Sequence, residues 1–256
     1  MAFLRIDFPS SILQMAEHVD VILPDDFNKH DPFEDGLQKF RTLYLLHGYY
    51  GNSTDWMRLS SIERYAGDHH IAVVMPSAYN SYYTNALHGE RYFDYIADEI
   101  PRYLQKLLPL AKSKEHNFIA GLSMGGYGAI KIALHYPERY QLAASLSGAL
   151  DFDFVYQRGL NDLTRTKHFQ SIFGLIEDME HSEHNLFYKL KENKKELPYL
   201  YIICGTEDFL FDSNNKFVNQ LKKQNINHLY ETHPGDHNWT FWDTYIQDVL
   251  NLIDKK

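Results

Sequence analysis

Five short, mostly apolar runs recur along this chain: Thr42–Leu46, Ile71–Met75, Asn117–Ala120, Leu142–Leu146 and Tyr199–Ile203. Each soon gives way to Gly, Pro, His or Ser. A strand with one wet face alternates apolar and polar residues, so a run that is apolar almost throughout needs cover on both faces. Between the runs lie segments with helical signals, at residues 60–67, 93–111, 123–136, 212–224 and 239–253. In the last of these, Trp239, Trp242, Ile246, Val249, Leu250 and Ile253 fall at three- and four-residue steps on one face. Alternating strand and helix predicts an α/β fold with a mostly parallel sheet and helices on both sides.

The N-terminus differs. Leu4, Ile6 and Phe8 alternate with Arg5 and Asp7, and Val19, Val21 and Leu23 precede Pro24, which predicts an antiparallel pair at one sheet edge. With a short strand at His228–Glu231, eight strands are expected. The 256 residues suit one domain spanning 1–256, able to bury roughly 70–75% of the surface its unfolded chain exposes. One stretch, about 151–197, carries no clear strand run and at least one helix, around Asn185–Lys194, so it reads as a small helical insertion. It is either a cap that walls a pocket or a peripheral decoration.

Lys+Arg 25 against Asp+Glu 34 leaves a net charge of −9, with no basic block to track a phosphate backbone, so nucleic acid is not an expected partner. Cys204 is the single cysteine, which excludes an intramolecular disulfide and a Cys-based zinc cluster. No apolar run resembles a signal-peptide core or the roughly eighteen residues of a membrane span. A cytoplasmic protein without membrane contact is therefore expected. The unusual figure is the 15% aromatic content, with Tyr 19 and Phe 16.

The chemistry concentrates at Gly121-Leu122-Ser123-Met124-Gly125-Gly126, between an apolar strand run and a helical segment. Gly-x-Ser-x-Gly in that setting is a nucleophile turn: the serine takes a strained backbone conformation, and the flanking glycines remove Cβ atoms that would collide. A serine hydroxyl needs a base and a carboxylate, here expected later in the chain in the order Ser, Asp, His. Asp208 follows the Tyr199–Cys204 strand at its carboxyl end, with Glu207 and Asp212 as competitors; Asp212 reads as a helix N-cap. His237, between a short strand and the final helix, is the chosen base over His233, and Asp236 reads as a capping or water-facing loop residue. For the developing oxyanion, the backbone N–H of Met124 is one donor and that of Tyr49, after the Thr42–Leu46 strand, is the second, with Tyr50 as the alternative. His181 and His184 share a helical spacing but lack a third ligand, so no metal site is expected.

His47-Gly48-x-x-Gly51-Asn52 with Asp55-Trp56, Gly121-Leu122-Ser123-Met124-Gly125-Gly126-Tyr127-Gly128-Ala129, Cys204-Gly205-x-x-Asp208, and Pro234-Gly235-x-His237-x-Trp239 with Trp242 resemble the esterase D-like α/β-hydrolases. The bacterial tributyrin esterases are the nearest group, and the likeness runs along nearly the whole chain. It implies the α/β-hydrolase fold and a serine carboxylesterase acting on short acyl esters with no cofactor, its triad falling on Ser123, Asp208 and His237. The family also holds S-formylglutathione hydrolases, feruloyl and acetylxylan esterases and mycolyltransferases, so thioester hydrolysis and acyl transfer stand as alternatives. A catalytically silent binding protein on the same fold is a further one. Part of the aromatic excess is expected to line the pocket, with Tyr50, Trp56, Tyr82 and Trp239 as the chosen residues and Tyr79 and Tyr83 beside them; Phe217 and Trp242 read as core. The partner expected is a small-molecule ester, and a homo-oligomer is compatible with the aromatic-rich surface.

Overall fold

The computed structural model describes residues 1–24, 39–160, 162–193 and 195–256. Its centre is one eight-stranded sheet: β1 (Ala2–Ser10), β2 (Met15–Leu23), β3 (Arg41–Leu46), β4 (Ile71–Pro76), β5 (Asn117–Leu122), β6 (Leu142–Leu146), β7 (Tyr199–Gly205) and β8 (His228–His233). They lie in the order β1-β2-β4-β3-β5-β6-β7-β8. β1 pairs with β2 and β2 with β4 antiparallel, while every later pairing is parallel.

The apolar runs form the middle of this sheet because both of its faces are covered. Tyr44, Leu46, Ile119 and Ile202 pack into a core on one side with residues of the helices Ile100–Leu107, Met124–His135 and Phe211–Lys223. Leu43, Leu45, Phe118 and Ile203 face the other way, against Ile62–Asp68 and Trp239–Ile253. The alternating edge behaves as its pattern predicts: Phe8 is buried, Leu4 and Ile6 are partly buried, and Arg5 stays at the surface. Arg5 closes onto the buried Asp20 of β2 at 2.7 Å, and the Ser53 hydroxyl donates to the same carboxylate at 2.8 Å.

The segment between β6 and β7 holds more helix than its sequence suggests: Phe152–Gly159 and Leu163–Phe173 precede Leu186–Glu192. The expected end of that last helix, Lys194, lies outside the described residues. Phe152, Phe169 and Phe173 turn inward and meet Tyr82 edge to face, Tyr156 packs on Phe152 and Phe169, and the Phe152 and Phe173 centroids are 4.1 Å apart. Polar contacts join the same layers. Lys131, buried in the helix after the nucleophile turn, donates to Thr84 Oγ1 at 2.7 Å and lies 3.1 Å from His184 Nδ1. The Tyr127 hydroxyl donates to the His184 carbonyl at 2.8 Å. The inserted segment thus reaches the helix Met124–His135 through Phe152 and His184, and Leu163–Phe173 packs on Tyr82 and Phe152.

Candidate active site

Strands β3, β5 and β7 run parallel, so the loops leaving their carboxyl ends gather at one sheet edge. Ser123 leaves β5 with φ 53° and ψ −117°, a strained conformation for a non-glycine residue, and heads the helix Met124–His135. Its neighbours make that turn possible. A Cβ on Gly121 would sit 2.4 Å from the Gly125 carbonyl, and one on Gly125 would sit 2.5 Å from the Leu46 carbonyl oxygen. The turn is held by the Ser123 N–H donating to the Leu146 carbonyl at 2.9 Å.

The loops after β7 and β8 are laced together. Thr206 N–H donates to the His233 carbonyl at 2.9 Å and Glu207 N–H to the Gly235 carbonyl at 3.1 Å. Glu207 turns its carboxylate back onto the Gly235 N–H, away from the imidazole. Asp208 is the carboxylate that reaches His237, with Oδ2 2.8 Å from Nδ1, and its other oxygen accepts the Leu210 N–H at 2.8 Å. Burial pushes the Asp208 carboxyl up, but the hydrogen bond and charge of His237, with the Leu210 N–H, outweigh it and hold the group below the usual carboxylate range. On the far side of the ring, Nε2 lies 3.0 Å from Ser123 Oγ. The three residues chosen from sequence are therefore brought together in one chain of hydrogen bonds.

The competitors lie elsewhere. His233 stacks on Tyr245 with centroids 4.3 Å apart and planes at 14°. Asp212 sits in the first turn of Phe211–Lys223, whose N-cap position belongs to Leu210, so the capping role expected of Asp212 is not found. Asn238 caps the final helix by accepting the Phe241 N–H, while Asp236 accepts the His237 N–H.

The Gly48–Gly51 turn after β3 is closed by Gly51 N–H donating to the Gly48 carbonyl at 3.1 Å. Its two central N–H groups differ. Tyr50 N–H donates to Asn80 Oδ1 at 2.7 Å, whereas Tyr49 N–H has no partner among the described residues. Met124, the first residue of its helix, leaves its N–H without an intrahelical acceptor. The sequence reading missed the residue that holds this turn. His47 is wholly buried, its Nε2 accepts the Ala78 N–H at 2.9 Å and its Nδ1 lies 2.7 Å from the Gly48 carbonyl, so Nδ1 carries the proton. Burial pushes this imidazole down to about 4, against the opposing hydrogen bond to Gly48. The Tyr83 hydroxyl donates to the His47 carbonyl at 2.9 Å.

A cavity of about 500 Å³ opens over Ser123 and His237, with Tyr49, Tyr50, Tyr82, Phe209, Trp239 and Trp242 in its wall. Tyr50, Tyr82 and Trp239 line it as expected, but Trp56 does not: it is 1% exposed, with its indole N–H donating to the Leu46 carbonyl at 3.1 Å. Trp56 instead supports Trp239 edge to face at 5.2 Å. Trp242, expected in the core, is mostly buried but also reaches the cavity, its ring 4.9 Å from that of His237. Tyr79 and Tyr83 lie outside the wall. Phe217 is buried as expected; Cys204 is buried too, which holds its thiol up. His184 faces Lys131 and His181 packs against Tyr188. Among the described residues, Glu231, His233 and Asp248 bring ligand atoms within 4.8 Å of one another, and Glu231 already takes the Tyr201 hydroxyl.

A sheet of this order with its serine at the β5 turn puts the chain among the serine hydrolases of the α/β-hydrolase fold. More narrowly, it belongs to the esterase family whose model, described as "Putative esterase", matches residues 10–252. An acetyl esterase of Caldicellulosiruptor saccharolyticus is 33% identical over 265 residues, covering 100% of this chain and 99% of that one. Among solved structures, the fluorophosphonate-binding serine hydrolase F (FphF) of Staphylococcus aureus, with substrate bound, is similar at TM-score 0.91 and 34% identity over 98% of each chain. The S-formylglutathione hydrolase FrmB of the same organism is similar at 0.88 and 34%, again over 98% of each. No helix among the described residues is long and apolar enough to cross a membrane.

Proposed function

We propose that the protein is a serine carboxylesterase that hydrolyses short-chain acyl esters through an acyl-enzyme on Ser123. The observation that carries this reading is His237, with Nε2 3.0 Å from Ser123 Oγ and Nδ1 2.8 Å from Asp208. His237 takes the hydroxyl proton as Ser123 attacks the ester carbonyl, and the buried carboxylate of Asp208 fixes the tautomer and stabilises the imidazolium. The free N–H groups of Tyr49 and Met124 hold the oxyanion; Tyr50 N–H is already engaged by Asn80. His237 then returns its proton to the departing alcohol and activates the water that frees the acid.

The 151–197 segment acts as a cap in this reading, since Val155, Arg158 and Arg165 stand in the cavity wall. The likeness to a protein named an acetyl esterase supports a short acyl group. The likeness to an S-formylglutathione hydrolase supports a second reading, in which a thioester is the better substrate; parallel turnover of matched oxygen and thiol esters decides between the two. For the shared mechanism, Ser123→Ala abolishes hydrolysis of p-nitrophenyl acetate while the variant keeps the wild-type melting profile. Full activity in that variant refutes it.

A further inference from the structure

The cap side of the cavity carries two arginines whose guanidinium groups pair with no carboxylate among the described residues, although the Arg165 backbone N–H donates to Asp162 at 3.1 Å. Arg158, near the end of Phe152–Gly159, places its guanidinium 4.2 Å from the ring centroid of Phe209. That ring in turn packs 4.6 Å from the His237 imidazole. Arg165, in the first turn of Leu163–Phe173, stands 5.1 Å from the Tyr49 ring and 6.0 Å from the Tyr50 ring, and donates to the Tyr50 hydroxyl at 3.2 Å. Both line the cavity over Ser123.

Most arginines described in this chain have an acidic partner; Arg64, 4.9 Å from the Tyr65 ring centroid, is the other exception and lies outside the cavity wall. Arg5, Arg41, Arg58, Arg91, Arg102 and Arg139 each pair with an aspartate. Among the described residues neither the Arg158 nor the Arg165 guanidinium pairs with a carboxylate, and that of Arg158 makes no hydrogen bond. Yet acids outnumber bases 34 to 25. A guanidinium carries five N–H donors, and an aromatic contact at its face leaves the donor edge free for a planar carboxylate. Arg165 spends one donor on Tyr50, and that bond holds it against the oxyanion turn. One acidic side chain, Asp55, lines the same cavity; burial pushes its carboxyl up, and its nearest cation is Arg58 at 3.8 Å. It does not neutralise the cap side.

Resting on the serine-esterase reading, we propose that this pocket selects esters bearing a carboxylate remote from the scissile bond, and that Arg158 and Arg165 bind that carboxylate. The substrate class is then a half-ester of a dicarboxylic acid or an acylated hydroxy acid. Neutral short-chain esters react at the same serine without this contact.

Two substrate pairs separate the possible positions of the charge. The p-nitrophenyl monoester of adipic acid against its methyl ester places the carboxylate on the acyl side; 4-acetoxybenzoate against its methyl ester places it on the alcohol side. Each is corrected for spontaneous hydrolysis, and the readout is the anion-to-neutral ratio of kcat/KM within each protein, so a general loss of activity cancels. In at least one pair the ratio exceeds one, falls about tenfold in Arg158→Gln and in Arg165→Gln, is partly restored in Arg165→Lys, and declines with added salt. A wild-type preference for the neutral ester in both pairs overturns the proposal, as does a ratio in both variants within about twofold of wild type. If hydrolysis proves independent of Ser123, the esterase mechanism fails instead, and the two failures are told apart by the Ser123→Ala control.

Discussion

His47 offers a quantitative check on how the Gly48–Gly51 turn is held. Its imidazole is wholly buried and pushed from 6.5 down to about 4, so the native protein keeps it neutral while an unfolded chain takes up a proton in mild acid. The sign follows from that order: the native state is favoured in full above the unfolded value of 6.5, and the advantage is lost as the pH falls towards 4. Between about pH 7.5 and about pH 5 the linkage integral for one such group comes to about 2 kcal/mol. Other groups titrate over the same range, so the useful quantity is a difference of differences. Urea denaturation of wild type and His47→Gln at both pH values gives four stabilities. At neutral pH the variant is weaker by about 1–3 kcal/mol, because the Ala78 N–H and Gly48 carbonyl lose well-placed buried partners. Near pH 5 that gap narrows by about 2 kcal/mol, since the variant has no imidazole to keep neutral. A gap that stays the same at both pH values refutes the claim that a neutral, buried His47 holds this turn.

Asp208→Asn tests the orienting carboxylate: an amide that donates to Nδ1 leaves Nε2 protonated toward Ser123, and kcat falls by about 10³–10⁴. Steady-state turnover of p-nitrophenyl acetate reads this directly, and a loss below about tenfold contradicts the role. Gly125→Ala drives a Cβ to 2.5 Å from the Leu46 carbonyl oxygen and 2.6 Å from that of His47, both backbone atoms that cannot swing aside. A destabilisation of roughly 3 kcal/mol is expected, seen as a melting temperature lower by about 10 °C, and an unchanged melting temperature means that the turn is looser than described.

The central strands were legible because burial on both faces imprints unbroken apolar runs, and the hydrogen-bonded chain Asp208–His237–Ser123 because Gly121-x-Ser123-x-Gly125 suggests a chain order that Asp208 and His237 satisfy. Packing that depends on distant partners was less visible. Phe152–Gly159 and Leu163–Phe173 escaped notice because their aromatics bury against Tyr82 and Tyr127, whose proximity only the fold creates. Trp56 shares a motif neighbourhood with the pocket but points beneath it, since its indole N–H finds the Leu46 carbonyl. The holding role of His47 had one signal, its place between the end of β3 and Gly48. Nothing in the pattern of Arg158 or Arg165 says which side of the cap faces the serine.

The most direct test of Ser123 as the nucleophile is rapid acid quenching during turnover of p-nitrophenyl acetate, followed by peptide mass spectrometry. The account predicts an acetyl adduct on Ser123, formed within the burst of nitrophenol release and missing when His237 is replaced by Ala. A stable adduct on any other residue, or a full burst with Ser123 unmodified, contradicts it.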